Sequence, residues 1–86
     1  MNIVFTHTAF EQYTEWQTAD RSMVKRINEL IKDISQNGLS QGIGKPEPLR
    51  FISAWSRRIS LEHRLVYNFD SNKNLVILAC KEHYEE

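Results

Sequence analysis

The stretch that decides the fold is AWSRRISLEHRLVYNF, residues 54–69. Apolar and polar side chains alternate on both sides of Leu61, and this two-residue period is typical of half-buried strands. The pattern predicts one strand over residues 54–60 and a second over 62–69, with a short turn between them. After a turn rich in Asp and Asn, residues 75–79 form a continuous apolar run that predicts a third strand. Three strands in series favour an antiparallel meander.

The sequence ahead of these strands predicts a short strand and a first helix. Residues 3–5 are an apolar run of strand type. Thr8 followed by Glu11 has the spacing of a capping box, so the helix is expected over residues 9–18. Its core face is expected to hold three aromatic residues, which are Phe10, Tyr13 and Trp16.

The strongest helical pattern lies between Asp20 and Gly38. Asp20 is of a residue type that caps helices, and Asn37-Gly38 supplies a left-handed stop. Six apolar residues recur at helical spacing along one side of this segment: Met23, Val24, Ile27, Leu30, Ile31 and Ile34. Two helices followed by a meander predict one α+β domain over residues 1–86, with both helices on one face of an antiparallel sheet.

Composition and charge bound the classes of protein. The chain has 86 residues, of which 41% are hydrophobic, as in a small domain with one core. It has no apolar run long enough to span a membrane, no signal-peptide pattern and one cysteine, Cys80, which predicts a cytoplasmic protein with an inert core thiol. The net charge is zero, but residues 41–67 hold five Lys or Arg against two Glu. This basic segment predicts a local anion site.

Two arginines of the basic segment are expected to face each other. In the predicted register Arg58 lies opposite Arg64, and like charges in opposed positions on a sheet are destabilising. Two guanidiniums on one sheet face therefore indicate an anion between them, either Glu47 or a ligand phosphate. A pair of solvated arginines on an exposed face is the alternative interpretation.

Glu47 and His83 have the side chains that acid–base catalysis needs. The two prolines that flank Glu47 restrict its backbone, which suits a fixed general base and equally a surface turn. His83 is a candidate proton donor, or a residue of a frayed tail. His7, His63 and Cys80 lack the spacing of metal ligands, so neither a metal site nor a cofactor is expected. One base, one acid and several guanidiniums fit metal-free phosphodiester cleavage with a ribose 2′-OH as the nucleophile.

Five segments together carry a resemblance to a known family. They are KRINELIKD (25–33), GKPEPL (44–49), WSRRI (55–59), EHRLVY (62–67) and HY (83–84). With them the chain resembles the YoeB (Txe/YoeB) toxins of bacterial toxin–antitoxin modules, which belong to the RelE superfamily. The resemblance implies a RelE-like fold, a small curved antiparallel sheet with two helices on one side. It also implies a ribosome-dependent endonuclease that cuts mRNA in the translational A site.

By position, the resemblance implies a role for each of seven residues. Glu47 would be the base for the 2′-OH, His83 the acid for the 5′-oxygen, and Arg64 the cation that stabilises the charged phosphorane. The implied substrate-binding residues are Lys45, Arg50, Arg58 and Tyr84. The implied partners are a YefM-type antitoxin, the ribosome and mRNA. DNA would be contacted only through the antitoxin, and no membrane partner is implied. The sequence leaves a monomer or a homodimer open.

Three features depart from the family pattern. Arg50 stands where the family usually has Lys, and both side chains can contact phosphate. The segment over residues 51–54 is shorter than the family's usual stretch before the tryptophan, so the tip of the hairpin is expected to differ from that of the family. Glu85 and Glu86 follow the His-Tyr pair, and two carboxylates beside the site are expected to change cleavage only modestly.

Two other functions remain compatible with these residues. A toxin of the same fold could bind DNA gyrase, as ParE-like relatives do, and such a protein would not require the pair Glu47 and His83. A non-catalytic module could serve only as the partner of an antitoxin at DNA. Formation of the complex without growth arrest would be the signature of that module.

Overall fold

The computed structural model describes residues 1–84, so the predicted effect of Glu85 and Glu86 lies outside the described residues. The elements in chain order are β1 (Ile3–Phe5), α1 (His7–Ala19), α2 (Arg21–Asn37), β2 (Glu47–Pro48), β3 (Trp55–Arg58), β4 (Arg64–Phe69) and β5 (Leu75–Ala79). Within residues 1–84, neither helix is long and apolar enough to cross a bilayer. The predicted α+β class is confirmed.

The five strands form one sheet in the order β1-β5-β4-β3-β2. The predicted meander is present as β3, β4 and β5, and its register is confirmed because Trp55 pairs with Tyr67 and Arg58 with Arg64. The expectation of a purely antiparallel sheet is wrong at one edge, where β1 pairs with β5 in parallel. Both helices and three strands separate β1 from β5 along the chain, so no local turn fixes their relative direction. The short edge strand β2 was not predicted.

Helix α1 begins two residues earlier than predicted. Thr6 is its N-cap instead of the expected Thr8, and the Thr6 hydroxyl oxygen accepts a hydrogen bond from the Ala9 N–H at 3.1 Å. Asp20 caps α2 as predicted by accepting a hydrogen bond from the Ser22 N–H at 3.0 Å. The hydrogen bonds from the Ser22 hydroxyl and N–H hold the pKa of Asp20 below its usual value.

The core lies between the two helices and one face of the sheet, as predicted. Its buried members are Ala9, Trp16, Ile27, Leu30, Ile31, Ile34, Ile59, Leu65, Tyr67, Leu75, Ile77 and Cys80. The expected core position of Phe10 is wrong, since its side chain is 57% exposed. The helix starts at His7 instead of residue 9. The side chains that it buries are those of Ala9 and Trp16, so Phe10 lies outside its core face. Burial raises the pKa of the Cys80 thiol to about 12, which keeps it protonated and inert.

A buried arginine fastens α2 and the following loop to the sheet. The Arg57 side chain is fully buried, and its Nη1 forms an ion pair with Asp33 on α2. Its Nε donates a hydrogen bond to the Tyr67 hydroxyl at 2.9 Å. The remaining N–H groups donate to three loop carbonyls, those of Gly38, Gln41 and Ile43, at 2.7–3.0 Å. A guanidinium has five N–H donors in a fixed fork, so one side chain can hold all of these acceptors together.

Two glycines allow the loop to lie close to this ion pair. Gly42 has φ +122°, and a Cβ there would come within 1.8 Å of the Asp33 carboxylate. Gly44 has φ +83°, and a Cβ there would meet Leu30 at 2.8 Å. Both positions therefore need a left-handed backbone and the absence of a side chain. The Gly44 carbonyl accepts a hydrogen bond from the Arg58 N–H at 2.7 Å, so the loop reaches β3 directly before β2 begins.

The ion pair predicts a pH-dependent loss of stability in Asp33→Asn. Burial alone would raise the pKa of Asp33, but hydrogen bonds from Arg57 and the Ile43 N–H outweigh burial and hold the pKa below its usual value. Asp33 therefore stabilises the folded protein at pH values above the pKa that its carboxyl has in the unfolded chain, about 4. This stabilisation is lost as the pH falls below that value. We expect Asp33→Asn to lower the free energy of unfolding by about 3 kcal/mol at pH 7, because it leaves the buried Arg57 charge uncompensated.

Chemical denaturation of Asp33→Asn and wild type between pH 7 and pH 2 measures this effect. The difference between the two proteins should shrink as the pH falls below 4. Glu29→Gln is the matched control, because the Arg26–Glu29 pair is exposed and should contribute less than about 1 kcal/mol. A constant difference at every pH would show that the ion pair does not contribute as described.

Candidate functional site

The face of the sheet opposite the helices carries the predicted site residues. Along β3, Trp55 and Arg57 face the core, so Ser56 and Arg58 face the other side. Glu47 pairs with Ser56, and Arg58 pairs with Arg64. Paired residues of neighbouring strands share a face, so both pairs lie on the side of the sheet that the helices leave uncovered.

A cleft of about 200 Å³ opens on this face. Its lining residues are Glu47, Leu49, Ser56, Arg64, His83 and Tyr84. Four of the seven predicted site residues are therefore brought together, although they come from β2, β4 and the end of the described chain. The three predicted residues that do not line the cleft are Lys45, Arg50 and Arg58.

A small apolar cluster supports the cleft from within the sheet. Its buried members are Ala54, Val66 and Ala79, and Leu49 and Leu78 pack against them. The Leu49 N–H donates a hydrogen bond to the Ala54 carbonyl at 2.9 Å, which closes the loop between β2 and β3. The polar residues of the site therefore stand on a rigid base.

Glu47 is held in an extended backbone, as its flanking prolines predict. It forms β2 together with Pro48 and pairs with β3. Its side chain is exposed at the cleft, and within residues 1–84 it forms no ion pair with Arg58 or Arg64. The structure thus does not use Glu47 as the anion between the two arginines.

The Arg64 guanidinium is fixed against the β3–β4 turn. Its Nη1 donates hydrogen bonds to the carbonyls of Ser60, Leu61 and His63 at 2.9–3.1 Å. The Nε and Nη2 groups have no hydrogen-bond partner within the described part of the chain. One end of the guanidinium is therefore occupied by the turn, while the other end offers donors to an anion in the cleft.

The other three predicted cations lie outside the lining of the cleft. Arg58 is partly buried and lies beside Arg64 in the sheet. Lys45 is exposed and has φ 52°, a left-handed backbone that few residues other than glycine adopt. Arg50 is exposed, with its guanidinium 5.6 Å from the centre of the Phe51 ring.

One arginine of the basic segment does not belong to an anion site. The sequence counts Arg57 among the local cations, but its charge is buried on the core side and paired with Asp33. Conversely, sequence reasoning missed Ser56 and Leu49 as cleft residues. Side chains alternate between the two faces along β3, so the sequence already placed Ser56 on the same face as Arg58.

A larger open groove of about 1080 Å³ adjoins the cleft and shares His83 and Tyr84 with it. It runs along the start of α1, and its charged lining includes Glu62 and Glu82 but also Lys81. Two carboxylates against one cation disfavour a phosphate backbone there. The smaller cleft, with Arg64 at its wall and Arg58 beside that residue, is the better candidate for binding an anionic substrate.

Comparisons with known proteins show the family to which this chain belongs. The sequence model of a family described as the YoeB-like toxin of bacterial type II toxin–antitoxin systems matches residues 5–84. Toxin YoeB of Escherichia coli strain K12 is 44% identical over 86 residues, which cover 98% of this chain and 100% of that protein. Among solved structures, the YoeB dimer from Staphylococcus aureus is 50% identical with a TM-score of 0.91, covering 98% of both chains.

A further solved structure, a YoeB–YefM complex from Staphylococcus aureus, is also 50% identical. Its TM-score is 0.88, and the match covers 98% of each chain. Family match, identity and fold extend over nearly the whole chain. This chain belongs to the YoeB-like toxins of bacterial type II toxin–antitoxin systems.

Proposed function

We propose that this toxin is a ribosome-dependent endonuclease that cleaves mRNA in the translational A site. The observation that carries the proposal is the meeting of Glu47, Arg64 and His83 in one cleft on the uncovered face of the sheet. A carboxylate, a guanidinium and an imidazole can act as the base, the charge stabiliser and the acid in cleavage of a phosphodiester by its own 2′-OH. Tyr84 lines the same cleft and offers an aromatic face to a base of the substrate.

The reaction divides between the two acid–base residues. Glu47 takes the proton of the ribose 2′-OH as the 2′-oxygen attacks the adjacent phosphorus. The bond from phosphorus to the 5′-oxygen then breaks, and His83 gives that oxygen a proton. The products are a 2′,3′-cyclic phosphate and a 5′-OH, so atoms and charges balance without a further reactant.

Arg64 is the proposed stabiliser of the phosphorane. The turn carbonyls hold its guanidinium in place before the substrate arrives, so little reorganisation is needed as negative charge develops. A fixed donor of this kind contributes about 3–4 kcal/mol to the stability of a transition state. Arg58, Lys45 and Arg50 would bind the phosphates of the neighbouring nucleotides.

The shape of the site supports a dependence on the ribosome. The side chains of Glu47, His83 and Tyr84 are all exposed, so the cleft itself can make few contacts with a flexible RNA. Much of a barrier of this kind is removed by holding the reacting atoms in line. mRNA held in the A site is already ordered, so the ribosome would supply the alignment that the toxin lacks. This substrate places the action in the cytoplasm.

The proposed partners follow from the solved relatives. A YefM-type antitoxin is the proposed inhibitor, because a relative that is 50% identical is known in a YoeB–YefM complex. The antitoxin would be the component that contacts DNA. A homodimer is the proposed state of the free toxin, supported by the YoeB dimer from Staphylococcus aureus.

The proposed acid–base pair predicts a loss of cleavage in two variants. Glu47→Gln and His83→Ala should each lower the rate of mRNA cleavage roughly 10²–10⁴-fold, because each removes one proton-transfer step from the transition state. Primer extension in a purified translation system maps the cut ends and gives their rates. His7→Ala and Glu29→Gln are matched controls, since both residues are exposed on helices outside the cleft.

Cuts within the A-site codon that disappear in both variants, and also without ribosomes, would support the proposal. Intact mRNA with wild type would remove the nuclease and direct attention to binding of DNA gyrase. Cleavage that survives both substitutions would keep the activity but reject this assignment of the acid and the base.

Growth assays and pull-down separate catalysis from antitoxin binding. Expression of wild type should arrest growth, and co-expression of a YefM-type antitoxin should restore it. Glu47→Gln should no longer arrest growth yet should still bind the antitoxin in pull-down, since only the carboxylate is lost. Growth that continues with wild type while the complex forms normally would identify a non-catalytic module instead.

A further inference from the structure

The segment that carries His83 is irregular and depends on contacts with distant residues. β5 ends at Ala79, and the chain then continues without regular structure to residue 84. Cys80 is held by α1, because its carbonyl accepts a hydrogen bond from Trp16 Nε1 at 2.9 Å and its N–H donates to Gln12 Oε1 at 2.6 Å. These contacts hold the chain at Cys80, three residues before His83.

Glu82 is fixed by the turn between β3 and β4. Its N–H donates a hydrogen bond to Nδ1 of His63 at 2.7 Å, and its carbonyl accepts one from the Arg64 N–H at 3.1 Å. Glu82 has φ 60°, in the left-handed region that is unfavourable for a residue with a side chain. Such a conformation persists where surrounding contacts determine it. The two hydrogen bonds are those contacts, and the next residue is His83.

The bond to Glu82 defines the chemical state of the His63 ring. Nδ1 accepts a hydrogen bond, so it carries no proton, and the neutral ring must carry its proton on Nε2. An imidazolium would set an N–H against the N–H of Glu82. The ring is half-buried and packs edge-on against the buried Trp16 side chain, with centroids 4.8 Å apart. His63 thus lies between α1 and the segment that carries His83.

We propose that His63 is a positioning residue for cleavage: its neutral ring accepts the Glu82 N–H, holds the left-handed turn and so directs His83 into the cleft. This role rests on the proposed nuclease function. His63 itself does not line the cleft and touches no reacting atom. Without the acceptor, Glu82 would relax to a common backbone conformation, and His83 would point elsewhere.

Two substitutions separate the acceptor from the ring. His63→Phe keeps a ring against Trp16 but removes the acceptor, whereas His63→Asn keeps an oxygen acceptor near the position of Nδ1. Because a small misplacement of a catalytic group is costly, His63→Phe should lower the single-turnover rate at saturating ribosomes roughly 10–100-fold. The concentration of programmed ribosomes at half-saturation should stay within about threefold in both variants, and His63→Asn should recover most of the rate.

Nitrogen-15 NMR of the histidine rings provides a readout that is independent of cleavage. The His63 ring in wild type should show the Nε2–H tautomer, and the Glu82 amide should exchange slowly with solvent. His63→Phe should lose that protection, and His63→Asn should retain it. Thermal unfolding of each variant shows whether the fold is intact at the assay temperature.

The outcomes distinguish this proposal from the proposed function. If wild type does not cut mRNA, the nuclease proposal fails, and the positioning role of His63 in cleavage fails with it, whatever the NMR shows. If wild type cuts mRNA and folded His63→Phe cuts at the same rate, the positioning role alone is rejected. Should His63→Phe not fold, a protonated Nδ1 or a fast-exchanging Glu82 amide in wild type would overturn the proposal by itself.

Discussion

The buried Arg57 guanidinium is the interaction on which the rest of the structure depends. A buried charge is tolerated only if its desolvation is offset by close partners, and Arg57 has five of them. Those partners belong to α2, to β4 and to the loop that begins at Gly38. The same loop leads directly into β2. The Arg57 guanidinium, on the opposite face of the sheet, therefore helps to fix the position of Glu47 by holding this loop.

The two-residue period of β3 gives neighbouring side chains opposite roles. Arg57 faces the helices and acts as a structural cation, whereas Ser56 and Arg58 face the cleft side. The local basic segment is thus divided between folding and the site. Of the five Lys and Arg residues in this segment, Arg57 is therefore not a candidate for the site.

The site is completed by a second set of contacts, which join the β3–β4 turn to the start of β4 and to the segment that follows β5. The β3–β4 turn holds the Arg64 guanidinium through three carbonyls and the Glu82 backbone through His63 and Arg64. One turn therefore positions both a cation and the segment that carries His83. Rigid support of this kind is what an exposed site needs, because the cleft has few contacts of its own.

The sequence by itself determined α2, the meander and its register, because helical and strand periodicity, caps and short turns act between residues that are close in the chain. It also determined seven candidate residues, through segments that resemble one family, and four of these line one cleft. The alternation even placed Arg57 on the side of Trp55 and Ile59, although it could not name the partner that permits burial.

Only the tertiary structure decided the parallel pairing of β1, the edge strand β2, the pairing of Arg57 with Asp33 and the contact of Glu82 with His63. Each of these joins residues that are separated by other elements, or depends on a loop conformation that positive φ values at glycines permit. Such contacts are selected by the packing of the whole domain, since the desolvation of a buried charge and the cost of a left-handed turn are balanced only when all partners are present. No local pattern in the chain contains that information.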